Sequence, residues 1–110
     1  MAAEVTEQDL HSITDTLSCS FPLKKIILFG SQATGEADDK SDVDLLVITD
    51  FKGKRRQLMT EMNRLLDESA RQPVDLLILT PEEYEKELQI PGTLARYAGR
   101  YGRIVYERPS

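Results

Sequence analysis

Hydrophobic positions along this chain fall into segments of helical spacing and segments of continuous apolar residues. Leu10, Ile13 and Leu17 lie three and four positions apart, the spacing of one helix face. The run at 25–29 is short, rich in Ile and Leu and followed by Gly30, which is typical of a buried strand. The full pattern predicts a helix at about 7–19, a strand at 25–29, a turn or short helix at 30–35, a strand at 42–49, a helix at 54–71, a strand at 74–79, a helix from 81 to about 89, a short helix at 93–100 and a strand at 103–106.

Strands that alternate with helices predict an α/β (α+β) fold in which helices cover a small sheet. The strands are rich in Ile, Leu and Val, as expected where both faces of a sheet are buried. Thr80, Pro81 and Glu83 form a strong helix start, with an N-cap, a first-position proline and a third-position glutamate. No repeat or linker interrupts the pattern, so we expect one domain over residues 1–110.

Composition narrows the chemistry that this domain can perform. Cys19 and His11 are the only cysteine and histidine, which excludes an internal disulfide and the usual structural zinc sites and argues against a Ser-His-Asp triad. The net charge of −5 argues against stable, non-specific nucleic-acid binding. The chain has no apolar run long enough to span a membrane and no export signal, so we expect a cytoplasmic protein whose chemistry is carried by carboxylates.

Three aspartates occupy unusual positions in the predicted strands. Asp42 and Asp44 flank Val43, so their side chains point to one face with Cα atoms about 6.6 Å apart. Asp75 stands near the start of another apolar run and would join them if the two strands are neighbours. A divalent cation such as Mg²⁺ would offset the repulsion between these charges. The ordinary alternative is that each aspartate is a cap, a turn residue or a salt-bridge partner.

Gly30 and Ser31 follow the first predicted strand directly. Glycine permits close backbone approach, and free N–H groups at a helix start favour an anion such as phosphate. An ordinary strand-to-helix turn with Ser31 as N-cap is the alternative. A Walker A loop is excluded, because Glu36 and Ala37 stand where lysine and serine or threonine are required.

The combined motif, Gly30-Ser31 followed by Asp42-Val43-Asp44 and a later Asp75, resembles the minimal nucleotidyltransferases of the DNA polymerase beta superfamily. The resemblance covers nearly the whole chain and implies a small mixed sheet flanked by helices. It implies that Gly30 and Ser31 bind the triphosphate of ATP or another nucleoside triphosphate. It further implies that Asp42, Asp44 and Asp75 are the catalytic residues and hold two Mg²⁺ ions.

The resemblance also implies a partner. Minimal nucleotidyltransferases are often paired with a helical HEPN protein as a toxin–antitoxin system, and some transfer AMP to a tyrosine of the toxin. The leading hypothesis is therefore an antitoxin that moves AMP from ATP to a hydroxyl of a partner protein. Many family members carry arginine where this chain has Gln32 and Thr34. This departure favours one alternative, a binding module that neutralises its partner by contact alone. A transferase acting on a small molecule or an RNA end is a further alternative.

Overall fold

The computed structural model describes residues 7–30, 43–69 and 73–108 of the chain. In these residues the chain forms four helices and four strands in the predicted order. The elements are α1 (Glu7–Ser20), β1 (Leu23–Phe29), β2 (Val43–Thr49), α2 (Arg55–Ser69), β3 (Val74–Leu79), α3 (Pro81–Glu87), α4 (Leu94–Tyr101) and β4 (Arg103–Glu107). None of these helices has the length and apolar character needed to cross a lipid bilayer.

The predicted elements are confirmed, with shifts at their ends. Strand β3 has the predicted bounds, whereas β1 begins two residues earlier than predicted, at Leu23. Helix α3 ends at Glu87, before the predicted end near residue 89, and α4 begins after its N-cap Thr93. The turn predicted after Gly30 lies outside the described residues, and so does the predicted strand start at Asp42.

The four strands form one mixed sheet in the order β3-β2-β1-β4. Strand β1 lies in the middle and pairs antiparallel with both β2 and β4. Strands β2 and β3 are parallel, joined by the crossover that contains α2. This arrangement confirms the α/β class and the small mixed sheet expected from the sequence.

Both faces of the sheet are covered, so successive residues of the central strands enter two different cores. The helices α1 and α2 cover one face, and their core contains Leu10, Ile13, Leu17, Leu23, Ile26, Leu28, Val43, Leu45, Val47, Met62, Leu66 and Ile78. The second core, beneath α4, contains Ile27, Phe29, Leu46, Ile48, Leu79, Ala95 and Ala98. Burial on both sides explains why the strands are continuous apolar runs rather than alternating ones.

The start of α3 is held by a capping box that also binds α2. The Glu83 backbone N–H donates to Thr80 Oγ1 at 3.2 Å, and the Thr80 backbone N–H donates to Glu83 Oε1 at 2.9 Å. Arg55, at the start of α2, donates from Nη2 to both Glu83 carboxylate oxygens at 2.5 and 2.6 Å. The same guanidinium lies 5.4 Å from the centre of the Phe51 ring. One carboxylate therefore joins the starts of two helices.

These contacts change the titration of Glu83. The hydrogen bond from the Thr80 backbone, followed by those from Arg55, holds the pKa of Glu83 below its ordinary value of 4.5, although partial burial acts in the opposite direction. Because the folded state favours the ionised carboxylate, this contribution to stability is complete above the unfolded-state pKa. It is lost as the pH falls through the lower folded-state pKa.

We expect Glu83→Gln to lower the free energy of unfolding by about 0.5–1 kcal/mol at neutral pH. Glutamine retains the capping geometry but not the charge that pairs with Arg55. The difference from the wild type should shrink as the pH falls below about 4.5. Urea unfolding over a series of pH values measures it, with the neighbouring exposed Glu82→Gln as the control. A difference that stays constant into acid would contradict the assignment.

Candidate active site

Asp44 and Asp75 lie side by side on adjacent strands. They are register partners in the parallel β2–β3 pair, which places their Cα atoms roughly 4.8 Å apart. Register partners of a parallel pair point to the same face of the sheet, and here it is the face that also carries Leu46 and Leu77. Asp44 and Asp75 are therefore neighbours on one face of the sheet.

Gly30 completes this arrangement from the other side of Asp44. Asp44 is the register partner of Phe29, so its side chain lies next to the end of β1. Gly30 follows at once with a φ of 77°, a conformation that favours glycine. A Cβ added at Gly30 would collide with Asp44 Oδ2 and lie 3.3 Å from Asp44 Cγ. The carboxylate thus occupies space that any other residue at position 30 would fill.

The remaining predicted site residues are not described. Asp42 and Ser31 lie outside the described residues, as do Gln32 and Thr34. Within the part of the chain that the structure describes, no three acidic, histidine or cysteine side chains form a metal-binding group. The described part of the candidate site is accordingly Gly30, Asp44 and Asp75.

The donor set and its accessibility fit a hard divalent cation. Carboxylate oxygens are the ligands that Mg²⁺ prefers, and two carboxylates on one face favour a cation between them. Asp75 is exposed and Asp44 is half-buried, so the site opens to solvent above the second core. Gly30 keeps the Asp44 carboxylate beside the end of β1, where a bound cation would also meet an anionic ligand such as phosphate. These residues therefore suit a metal–phosphate ligand better than an apolar one.

Two features of this site escaped sequence reasoning. One is the contact between Gly30 and Asp44, which are far apart in sequence; the only signal is a glycine that ends one strand while an acid begins the next. The other is the position of the end of α4, which lies against the end of β1 that precedes Gly30. A Cβ added at Gly102 would lie 2.8 Å from both Ile27 Cγ2 and the Leu28 carbonyl oxygen, so this turn packs directly on β1.

A separate cavity of about 870 Å³ lies at the opposite end of the sheet. Lys25, Ile48 and Glu107 are among its lining residues, and they belong to the start of β1, the end of β2 and the end of β4. Lys25 and Glu107 form an ion pair across it at 3.3 Å. The carboxylate pair is at the other end of the strands, so this cavity is not the candidate active site.

The fold is that of a nucleotidyltransferase domain. Residues 11–108 match the family model described as polymerase beta, nucleotidyltransferase, and the chain belongs to that family. No curated protein matches the sequence significantly.

Solved structures with this fold include chains from toxin–antitoxin complexes. A toxin–antitoxin structure with AMP-PNP has a TM-score of 0.69 at 21% identity, over 90% of this chain and 73% of that chain. An MntA–HepT toxin–antitoxin structure has a TM-score of 0.64 at 18% identity, over 94% and 74% of the two chains. A re-refined tri-AMPylated Shewanella oneidensis HEPN toxin in complex with MNT antitoxin has a TM-score of 0.57 at 21% identity, over 94% and 74%. At these identities the likeness establishes the shared fold.

We expect Gly30→Ala to destabilise the fold more than Gly53→Ala does. Both glycines have positive φ, but an added Cβ meets Asp44 at position 30 and nothing within 4 Å at position 53. Backbone strain costs about 1 kcal/mol at either position, and displacement of Asp44 adds roughly 1–3 kcal/mol at position 30. Urea unfolding measures both values.

A double-mutant cycle isolates the contact between Gly30 and Asp44. In an Asp44→Ala background the added methyl group no longer meets a carboxylate, so the cost of Gly30→Ala should fall toward that of Gly53→Ala. An unchanged cost would show that Asp44 does not occupy the space beside Gly30.

Proposed function

We propose that this protein transfers AMP from ATP to a hydroxyl group of a partner protein. The observation that carries the proposal is the register pairing of Asp44 with Asp75 beside Gly30, in a domain of the nucleotidyltransferase family. In the reaction the acceptor oxygen bonds to the α-phosphorus of ATP. The bond from the α-phosphorus to the oxygen that it shares with the β-phosphorus breaks, and pyrophosphate leaves.

Asp42, Asp44 and Asp75 would hold two Mg²⁺ ions. When bound, these ions supply charge stabilisation for the phosphates and the departing pyrophosphate. Asp75 is the most accessible described carboxylate of the site, so we assign to it the additional task of accepting the proton of the acceptor hydroxyl. Half-buried Asp44 is oriented by its strand position and by its contact with Gly30.

Gly30 and Ser31 would bind the triphosphate. Backbone N–H groups at this point would donate to phosphate oxygens, and the Ser31 hydroxyl would add a donor. Gln32 and Thr34 offer amide and hydroxyl donors instead of the paired N–H groups of an arginine. We therefore expect weaker binding of ATP than an arginine at either position would give.

We further propose a helical HEPN-type protein as both acceptor and partner, with this chain as the antitoxin. The similar folds of the MNT antitoxin bound to a tri-AMPylated HEPN toxin and of the complex with AMP-PNP support this assignment. The exposed Cys19 and the use of ATP fit the reducing cytoplasm as the place of the reaction.

Neutralisation by contact alone is the second candidate function. Gln32 and Thr34 favour it, because they remove the guanidinium contacts that hold a triphosphate. The paired Asp44 and Asp75 oppose it, since a module that binds only by contact has no need of two adjacent carboxylates. Calorimetry with ATP and Mg²⁺ separates the two, because a site without activity should show no metal-dependent binding of ATP.

We expect Asp44→Asn and Asp75→Asn each to lower AMP transfer by at least about 100-fold, since each removes a negative charge from the catalytic site while preserving shape. The measurement is intact-mass spectrometry of a co-expressed HEPN-type partner incubated with ATP and Mg²⁺. Wild type should add the mass of AMP to the partner. Chelation of divalent cations should prevent the addition.

Asp67→Asn is the matched control, because Asp67 is an exposed aspartate on α2, which covers the other face of the sheet. It should transfer AMP at the wild-type rate. Mass addition that persists in Asp44→Asn, or none in the wild type with any nucleotide, would remove the proposal. Transfer of AMP to an RNA end or a small molecule, but not to the protein, would contradict the proposed acceptor and support a transferase that acts on those substrates.

A further inference from the structure

Exposed apolar side chains gather in one short part of the described chain. Among the described residues, the large hydrophobic side chains that remain exposed all fall between positions 90 and 104, and their exposed fractions range from 41% to 56%. They are Ile90, Leu94, Tyr97, Tyr101 and Ile104. Scattered single hydrophobics are normal on a protein surface, but a contiguous group marks an interaction site.

Three members of this group form a stripe along α4. Leu94, Tyr97 and Tyr101 occupy positions i, i+3 and i+7, while Ala95 and Ala98 bury the opposite side of the helix in the second core. The rings of Tyr97 and Tyr101 lie 5.3 Å apart, centre to centre. A groove of about 460 Å³ runs between this stripe and residues 91–93. We call Leu94, Tyr97 and Tyr101, together with Arg96 and Arg100 of the same helix, the α4 surface.

The α4 surface is basic in an acidic protein. No acidic residue occurs between Glu87 and Glu107, although the chain contains 19 acidic against 14 basic residues. Arg103 pairs with Glu7 at 2.7 Å. Among the described residues, Arg96 and Arg100 form no ion pair with a carboxylate, and the Arg100 guanidinium lies 5.9 Å from the centre of the Tyr101 ring. Two arginines therefore border an aromatic stripe.

The α4 surface also adjoins the candidate active site. Gly102, directly after α4, packs on Leu28, and Arg103 is the register partner of Leu28 in the β1–β4 pair. Leu28 stands two positions before Gly30 on the central strand. A molecule bound along α4 therefore lies near the end of β1, which Gly30 follows.

We propose that the α4 surface is the docking site for an acidic amphipathic helix of the acceptor protein. Its apolar side chains would pack on Leu94, Tyr97 and Tyr101, and its carboxylates would pair with Arg96 and Arg100. This inference rests on the proposed function in that the docked protein is the one modified. Docking on α4 would bring the acceptor toward the carboxylate pair.

Charge selects this occupant over the alternatives. A second copy docked by the same face would bring four arginines and no carboxylate of residues 88–106 into one interface, since a two-fold interface joins identical surfaces. Nucleic acid would meet the two arginines but also the net charge of −5. An acidic helix satisfies both the basic border and the apolar stripe.

Binding of synthetic helices tests the proposal. Two labelled amphipathic peptides of about 18 residues share one leucine pattern, and their polar positions are glutamate in one and lysine in the other. Fluorescence anisotropy is measured with the folded protein without nucleotide. We expect binding of the glutamate peptide, weakening with salt, and at least about tenfold weaker binding of the lysine peptide.

Arg100→Glu and Tyr97→Ser should each weaken binding of the glutamate peptide by at least about tenfold. Both positions are exposed, and circular dichroism verifies that the variants fold. The matched control is Arg64→Glu, an exposed arginine on α2 at the other face of the sheet, which should bind like the wild type.

Several results would overturn the docking site. They are no binding of the glutamate peptide, equal binding of both peptides, an equal loss in Arg64→Glu, single-stranded RNA binding that the α4 variants abolish, and a dimer in sedimentation that Tyr97→Ser dissociates. Asp44→Asn should bind the peptide normally. Peptide binding without AMP transfer would reject only the proposed function, and transfer that persists unchanged in both α4 variants would reject only the docking site.

Discussion

The parallel pairing of β2 with β3 is the constraint on which the candidate site depends. It sets Asp44 directly opposite Asp75, whereas a slip by one residue would turn one of these side chains to the other face of the sheet. The pairing is held in place by burial on both sides, because Leu45 and Leu46 enter different cores. The carboxylate pair is therefore positioned by the same apolar contacts that stabilise the interior of the sheet.

A second consequence of this packing is that no larger residue can replace Gly30 without displacing Asp44. Asp44 pairs with the last residue of β1, so its carboxylate extends over the residue that follows. Gly30 accommodates it by lacking a side chain and by adopting a positive φ. The Asp44 carboxylate and Gly30 therefore form one packed unit at the end of β1.

Two neighbouring parts of the domain differ in charge. The paired aspartates carry negative charge near the start of β2 and β3. Helix α4 presents aromatic rings bordered by Arg96 and Arg100. Small alanines on the inner side of α4 let the helix lie close to the sheet, which leaves its large side chains outside. An acidic net charge is consequently compatible with a local basic surface for an acidic partner.

The sequence by itself determined the order of helices and strands, the α/β class and the motif that marks the family, because periodicity, caps and turn residues are local properties. It also indicated that Asp44 and Asp75 belong to one site if their strands are neighbours. Only the tertiary structure decided that they are neighbours in register, that Gly30 lies under the Asp44 carboxylate, and that the end of α4 packs on the end of β1. These relations join residues distant in sequence, and they follow from which apolar faces pack together rather than from any local preference of the chain.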